Sequence, residues 1–239
     1  MENIKNILSL QDDVFAILHP VLPRDAVLAG GTALTRFYGF KHRFSEDIDI
    51  FFYRPKDESS TNTLARIKEW IDNIKLRGFF IEETFYEPGE NNNLFNLRLI
   101  ASKHKDIIKI DFIDDIFSGC WLPVKMKTTD TGVEFKVDNL EAILHKKLYA
   151  VYNNKMKFEK PRTKDIIDIY ILFKEKFDFT EIRDFYKNAR DIPLPFDSIM
   201  SAVSNTKLDF SEIINLDTAA IDKVKDWQTN LTNNKGLSL

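Results

Sequence analysis

GGTALTRFYGFKHRFSEDIDIFF, Gly30 to Phe52, joins elements whose order decides the architecture. Immediately upstream, Ala26 to Ala29 is a short apolar run that reads as a buried strand, and Thr32 to Tyr38 reads as a short helix. A strand that passes through a glycine pair straight into a helix aims free backbone N–H groups and the positive end of the helix dipole at one point, where an anion is favoured. Thr32 is placed to cap this helix and to offer its hydroxyl to an anionic oxygen. A tight strand-to-helix turn that binds nothing has the same residues.

The end of the segment, Asp47-Ile48-Asp49-Ile50-Phe51-Phe52, alternates as a half-buried strand does. Side chains two positions apart share a face, so Asp47 and Asp49 point one way, roughly 7 Å apart at Cα, while Ile48, Ile50 and Phe52 point to the core. Two like charges held that close repel, and a divalent cation relieves the repulsion; carboxylates with substrate phosphates are the usual ligands of Mg²⁺. A solvent-facing acidic edge gives the same alternation. Asp111 is the best third acid, because it sits alone in the hydrophobic run Ile107 to Ile113 and needs a partner there. Three carboxylates suffice for two ions to bridge the attacking and leaving oxygens of an in-line displacement. The alternative is a strand-end Asp facing water, with Asp114 and Asp115 as turn residues.

Working outward, residues 3 to 18 have the spacing of an amphipathic helix, and Thr63 to Leu76 forms another that Gly78 ends. Strands are expected at Phe79 to Phe85, Leu94 to Ala101 and Ile107 to Ile113. Strands interleaved with helices indicate an α/β or α+β domain with a mixed sheet. Beyond about residue 138 the pattern turns helical. Asp138 and Glu141 have capping-box spacing ahead of a helix carrying Leu140, Ile143, Leu144, Leu148 and Val151. A second helix spans Thr163 to Lys176, Thr180 and Asp217 are plausible caps of further helices, and Pro193 and Pro195 interrupt the series. Two domains are expected, 1–137 with the mixed sheet and 138–239 mainly helical, joined near Gly132 and a short strand before Asp138.

Composition supports a folded chain: of 239 residues, 44% are hydrophobic and 13% aromatic, enough for a sizeable core. The net charge of −3 argues against a uniformly basic surface for a large polyanion. Between His145 and Lys164, however, there is a local excess of +6, which suits a triphosphate or an RNA backbone, or equally a solvated helix end. Cys120 is the single cysteine, so no intrachain disulfide forms and a reducing compartment is expected. No secretory signal and no run of membrane-spanning length is seen, so the expected location is cytoplasmic, with no membrane partner. Repeats and low-complexity segments are likewise not apparent in the sequence.

Taken in order, Gly30-Gly31-Thr32-Ala33-Leu34, Arg43-Phe44-Ser45-Glu46-Asp47-Ile48-Asp49, the isolated Asp111, Lys147-Leu148-Tyr149-Ala150 and Arg162-Thr163-Lys164-Asp165-Ile166-Ile167-Asp168 resemble the AbiEii/AbiGii-type toxin nucleotidyltransferases, within the DNA polymerase beta-like nucleotidyltransferase superfamily. The resemblance spans roughly residues 25 to 175. The wider superfamily places a Gly-Ser pair closer to its acidic strand; the sixteen positions from Gly31 to Asp47 fit the toxin-type branch. The resemblance implies a nucleotidyltransferase domain followed by a helical domain contributing to the nucleotide and acceptor cleft. It implies Asp47, Asp49 and Asp111 as ligands of Mg²⁺ (or Mn²⁺), with Asp111 also helping to deprotonate the acceptor. It assigns the NTP triphosphate to Gly30, Gly31 and Thr32, with Ser45 nearby and Lys147 neutralising charge as pyrophosphate departs. Asp168 is expected to shape the pocket, Asp165 and Asp168 alternatively forming an exposed face paired with lysines, and His42 and Arg43 to be phosphate contacts or loop residues.

The activity implied is transfer of NMP from an NTP to a hydroxyl of tRNA or another macromolecule, by the toxin of a type IV-like toxin-antitoxin or abortive-infection system, with an antitoxin as a further partner. The alternatives are a small-molecule transferase of the antibiotic-modifying kind and a non-catalytic nucleotide-binding protein on the same fold. Residues after about 180 match no motif of the family and are expected to carry acceptor-binding or antitoxin-binding surface.

Overall fold

The computed structural model describes residues 2–19, 22, 26–52, 60–88, 95–103, 106–114, 125–128, 132–158, 160–189, 194–211, 213, 216 and 218–233. Asp115, Cys120, Glu159, Pro193 and Asp217 lie outside the described residues. The chain divides into two compact units, one of residues 1–40 and 45–139, the other of residues 41–44 and 140–239.

The first unit is built on a seven-stranded mixed sheet. Its strands are β1 (Ala26–Ala29), β2 (Ile48–Phe52), β3 (Phe80–Pro88), β4 (Phe95–Lys103), β5 (Asp106–Asp114), β6 (Lys125–Thr128) and β7 (Glu134–Val137), in the order β3-β4-β5-β2-β1-β7-β6. The hairpin-linked neighbours β3, β4 and β5 are antiparallel, as are β1 with β2 and β6 with β7. β2 runs parallel to β5, and β1 parallel to β7. Strand β6 has no counterpart in the sequence reading, since Lys125-Met126-Lys127-Thr128 has none of the apolar alternation that marks a half-buried strand.

The alternation in β2 does what its pattern requires. Ile48, Ile50 and Phe52 are fully buried, as are Ile110 and Phe112 beside them on β5. Helix α3 (Ser60–Leu76) lays Ile67, Trp70 and Ile74 into this layer, and α1 (Glu2–Leu18) adds Val14, Phe15 and Leu18. The Trp70 indole stacks on Phe52 with ring centroids 4.9 Å apart and on Phe112 at 6.0 Å, an offset aromatic cluster behind the acidic strand pair. On the other flank Phe15 meets Phe37 and Phe135.

The turn after β1 departs from the expected short α-helix. α2 (Gly30–Thr32) is a single turn that continues as a π-helical stretch, Ala33–Phe37, with the Tyr38 N–H donating to the Ala33 carbonyl at 3.2 Å. Such one-turn π insertions are rare and recur near functional sites. Thr32 does not cap this helix. Ala29 precedes its first residue, and the Thr32 hydroxyl is turned toward the loop before β2.

The second unit contains α4 (Leu140–Phe158), α5 (Thr163–Glu175), α6 (Phe179–Asn188), α7 (Phe196–Asn205) and α8 (Thr218–Thr232). Phe173, Phe179, Phe196 and Trp227 form its aromatic core. The Gln228 side chain, on α8, donates to the carbonyls of Val203 and Thr206 at 2.6 and 3.1 Å and so satisfies acceptors left over at the end of α7. Two caps differ from expectation. Thr180 lies inside α6, and Asp178 is its N-cap, accepting the Glu181 N–H at 2.9 Å. Asp138 stands one residue before the position that precedes α4; its N–H donates to Leu28 O at 2.9 Å, extending the pairing of β7 with β1.

Trp70 is 4% exposed and touches both central strands through Phe52 and Phe112. Trp70→Ala is therefore expected to destabilise the protein by about 3–5 kcal/mol, read from urea unfolding followed by far-UV circular dichroism. A loss below ~1 kcal/mol would place this cluster outside the core that supports the acidic strands.

Candidate active site

Asp49 and Asp111 are direct partners in the parallel register of β2 and β5. Strands lie about 4.8 Å apart, so their carboxylates start from neighbouring Cα positions on one face of the sheet. Asp47, two residues before Asp49, joins them through a shared cation: Lys109 Nζ is 3.7 Å from Asp47 Oδ2 and 3.5 Å from Asp111 Oδ2. The side chains of Asp47, Asp111 and Lys109 are 22%, 15% and 27% exposed, so the group is open to small solutes while its strands are anchored in the core. The structure thus sets Asp49 beside Asp111 and links Asp47 to Asp111 through Lys109.

The glycine turn reaches the same acids from β1. Gly30 has φ +69°, the left-handed region that glycine enters without penalty. The Asp49 carboxylate packs against its Cα, so that a methyl group there would overlap Asp49. Thr32 is fully buried; its hydroxyl bonds the Asp47 carbonyl and lies 3.2 Å from Ser45 Oγ. Gln11, buried on α1, donates to the Ser45 carbonyl at 3.0 Å. Together these bonds fix the approach of the chain to Asp47. Among the first unit's expected nucleotide contacts, the side chains of Thr32 and Ser45 are engaged in the turn itself.

Among the described residues, no three acidic, His or Cys side chains are gathered closely enough to enclose a metal ion. Mg²⁺ requires fewer protein ligands, being held by one or two carboxylates together with substrate phosphates and water. The Oδ2 atoms of Asp47 and Asp111 already face one cationic centre, the Lys109 ammonium, with Asp49 adjacent. This donor set fits a hard divalent cation.

The second unit holds a different charge cluster. Asp165 and Asp168, on α5, are completely buried, which overturns the reading of this pair as an exposed helix face. Arg43 grips Asp168 with two bonds, Nε to Oδ1 and Nη2 to Oδ2, each 2.7 Å, and His42 Nε2 lies 2.8 Å from Oδ1. The Lys147 ammonium, on α4, is 2.8 Å from both Asp165 Oδ1 and Asp168 Oδ2, and Arg162 Nε is 2.6 Å from Asp165 Oδ2. His42 and Arg43 are thus loop residues whose side chains are buried against Asp168, Arg43 as its ion-pair partner, and Lys147 is neutralised within its own unit. Lys147 and Arg162, two of the cations that made residues 145–164 look like a basic patch, are committed to these carboxylates.

Burial alone pushes both aspartates up. For Asp165 the neighbouring Lys147 and Arg162 outweigh burial and bring it to about 2. Arg43 and Lys147 hold Asp168 well below the usual carboxylate range. For Lys147, burial works toward neutrality, and Asp165 with Asp168 more than reverses it. His145, on the same helix, is pushed down to about 3 by burial and by Lys146, and its Nδ1 lies 2.7 Å from the Tyr186 hydroxyl, so it is a neutral core residue.

Two contributors are missing from the sequence reading. Lys109 was signalled by its position two before Asp111, which places both on one face of β5; Gln11 carried only the weak signal of a polar residue on an apolar helix face.

Because both acids titrate lower in the folded state, their contribution is complete above the unfolded value near ~3.9 and is lost as pH falls toward about 2. Asp168→Asn strands a buried arginine and is expected to cost about 3–5 kcal/mol at neutral pH. In urea titrations the gap between wild type and variant should stay constant above about pH 4 and narrow below it; a gap that widens on acidification would contradict the paired assignment.

The chain matches residues 13–234 to the family described as nucleotidyl transferase AbiEii toxin, Type IV TA system. No protein of curated function matches it in sequence. Among solved structures it is similar to ANT(2")-Ia in complex with adenylyl-2"-tobramycin, at 16% identity and TM-score 0.43 over 71% of this chain and 88% of that one. It is also similar to the GLD-2/RNP-8 complex, at 14% identity and TM-score 0.35 over 94% and 75%. Among the described residues no helix is long and apolar enough to cross a membrane. The family match covers nearly the whole chain, and on that ground the protein belongs to the AbiEii toxin family and is a nucleotidyltransferase.

Proposed function

We propose that the protein transfers NMP from an NTP to a hydroxyl of a macromolecular acceptor, tRNA foremost, as the toxin of a type IV-like toxin-antitoxin system countered by an antitoxin. The observation that carries the reading is the in-register pair Asp49 and Asp111, with Asp47 converging on the same cationic centre. In the reaction the acceptor oxygen attacks the α-phosphorus, the new O–P bond forms as the bond to the bridging oxygen breaks, and pyrophosphate leaves. Mg²⁺ or Mn²⁺, when bound, supplies Lewis-acid neutralisation of the phosphates. Asp47 and Asp49 are its ligands. Asp111 completes the set and takes the proton from the acceptor hydroxyl.

The backbone of Gly30 and Gly31 receives the triphosphate, and only glycine at position 30 leaves room for Asp49 to stand against the turn. Thr32 and Ser45 act as positioning residues by bracing that turn to Asp47. Asp168 holds Arg43 and Lys147 within the second unit, and we assign this group a positioning part as well.

The test is purified protein with Mg²⁺, each α-labelled NTP in turn and total tRNA, products being separated by size. Label should enter the macromolecular fraction, and Asp47→Ala should lower the rate by on the order of 10³-fold, equivalent to a loss of roughly 4 kcal/mol of transition-state stabilisation. Retained transfer in Asp47→Ala would overturn the site, whereas label appearing only in a small product would replace the macromolecular acceptor with a small-molecule one.

A further inference from the structure

Lys109 raises a question that the family assignment leaves open. A lysine between catalytic acids opposes the very cation those acids are proposed to hold. Its ammonium lies 3.7 Å from Asp47 Oδ2 and 3.5 Å from Asp111 Oδ2, longer than the 2.6–2.8 Å contacts in the buried cluster of the second unit. The side chain is about a quarter exposed and rises from a strand whose neighbouring residues, Ile108 and Ile110, are buried. The backbone beneath it is therefore fixed, while the flexible stem is free to swing. Ion pairs this open are weak, so the ammonium is held loosely enough to be exchanged.

We propose that Lys109 is a resident counter-cation which competes with the divalent metal for Asp47 and Asp111, so that metal loads efficiently only together with the nucleotide. This rests on the metal-site reading given above and adds to it a reason for the lysine. Without metal, the ammonium relieves the repulsion among three acids crowded on two adjacent strands. When a divalent ion takes the carboxylates, the displaced ammonium becomes an unneutralised cation beside the same site and lowers the affinity of metal alone. An incoming polyphosphate neutralises it. Metal and nucleotide thereby favour each other's binding through one side chain, and by linkage the coupling is equal in both directions.

The experiment measures Mn²⁺ binding by electron paramagnetic resonance titration of the full-length protein, with and without a non-hydrolysable NTP analogue, for wild type, Lys109→Met, Lys109→Arg and Asp47→Ala. Methionine keeps the apolar stem without the charge, and arginine keeps the charge. With nucleotide absent, Lys109→Met should bind Mn²⁺ about three- to tenfold more tightly than wild type, the range expected from losing two partly exposed ion pairs. Its affinity should then gain less from the analogue, while Lys109→Arg stays near wild type. Unchanged or weaker Mn²⁺ binding in Lys109→Met, with the analogue still enhancing it as in wild type, would overturn the role of Lys109 and leave the metal site standing. Mn²⁺ binding indifferent to Asp47→Ala would remove the metal site and this proposal with it. Near-ultraviolet circular dichroism of each variant separates a change in binding from a change in fold.

Discussion

The parallel, in-register pairing of β2 with β5 is the constraint on which the rest of the first unit depends. It sets Asp49 beside Asp111 and, through the same register, Ile48 beside Ile110 and Ile50 beside Phe112. A slip of one residue would turn acids inward and core residues outward, so the apolar face enforces the acidic one. The stacked Phe52, Trp70 and Phe112 rings are thus part of the site's construction although they stand behind it. The glycine turn exploits the same register from the other side, because β1 pairs Ala29 with Asp49 and so delivers Gly30 against that carboxylate.

The two units handle negative charge in opposite ways. In the second, Asp165 and Asp168 are withdrawn from water and enclosed by short contacts to Lys147, Arg43, His42 and Arg162. Burial of this kind is tolerable only with every charge matched, and it yields a rigid arrangement that resists substitution. In the first, the acids stay partly solvated and their lysine partner stands farther off. A site that exchanges ligands needs charges whose partners can be replaced at little cost. Such a contrast separates the enclosed cluster from the one proposed for the chemistry more clearly than residue type does, since both consist of aspartates and basic side chains.

Much of the first unit was legible because its signals are local. The alternation of Asp47 to Phe52, the apolar run around Asp111 and the Gly30-Gly31 turn each follow from neighbouring residues, and the strands other than β6 fall close to where their sequence patterning puts them. What escaped the reading depended on distance along the chain. Nothing near Asp168 reveals that Arg43, 125 positions earlier, is its partner, so a solvent-facing helix acid stays open in the sequence as the alternative to a pocket residue. Lys109 and Asp47 meet only through strand pairing. The cap of α6 differs for a local reason: Asp178 and Thr180 are both good cap residues, and Asp178 has the capping-box spacing to Glu181. The π-helical turn at Ala33–Phe37 leaves no sequence signature that distinguishes it from an ordinary short helix.

Residues 41–44 belong to the second unit although the chain on either side of them belongs to the first. The polypeptide therefore passes from one unit to the other three times, and the helical unit is not a contiguous piece of sequence. A recombination that exchanged everything after residue 139 would carry Asp168 into a host without Arg43 and His42, leaving a buried carboxylate short of two of its partners. The helical half is thus no portable module, and a change in the segment between Phe40 and Ser45 constrains α5 as strongly as a change in α5 itself. Divergence in one half has to be matched in the other.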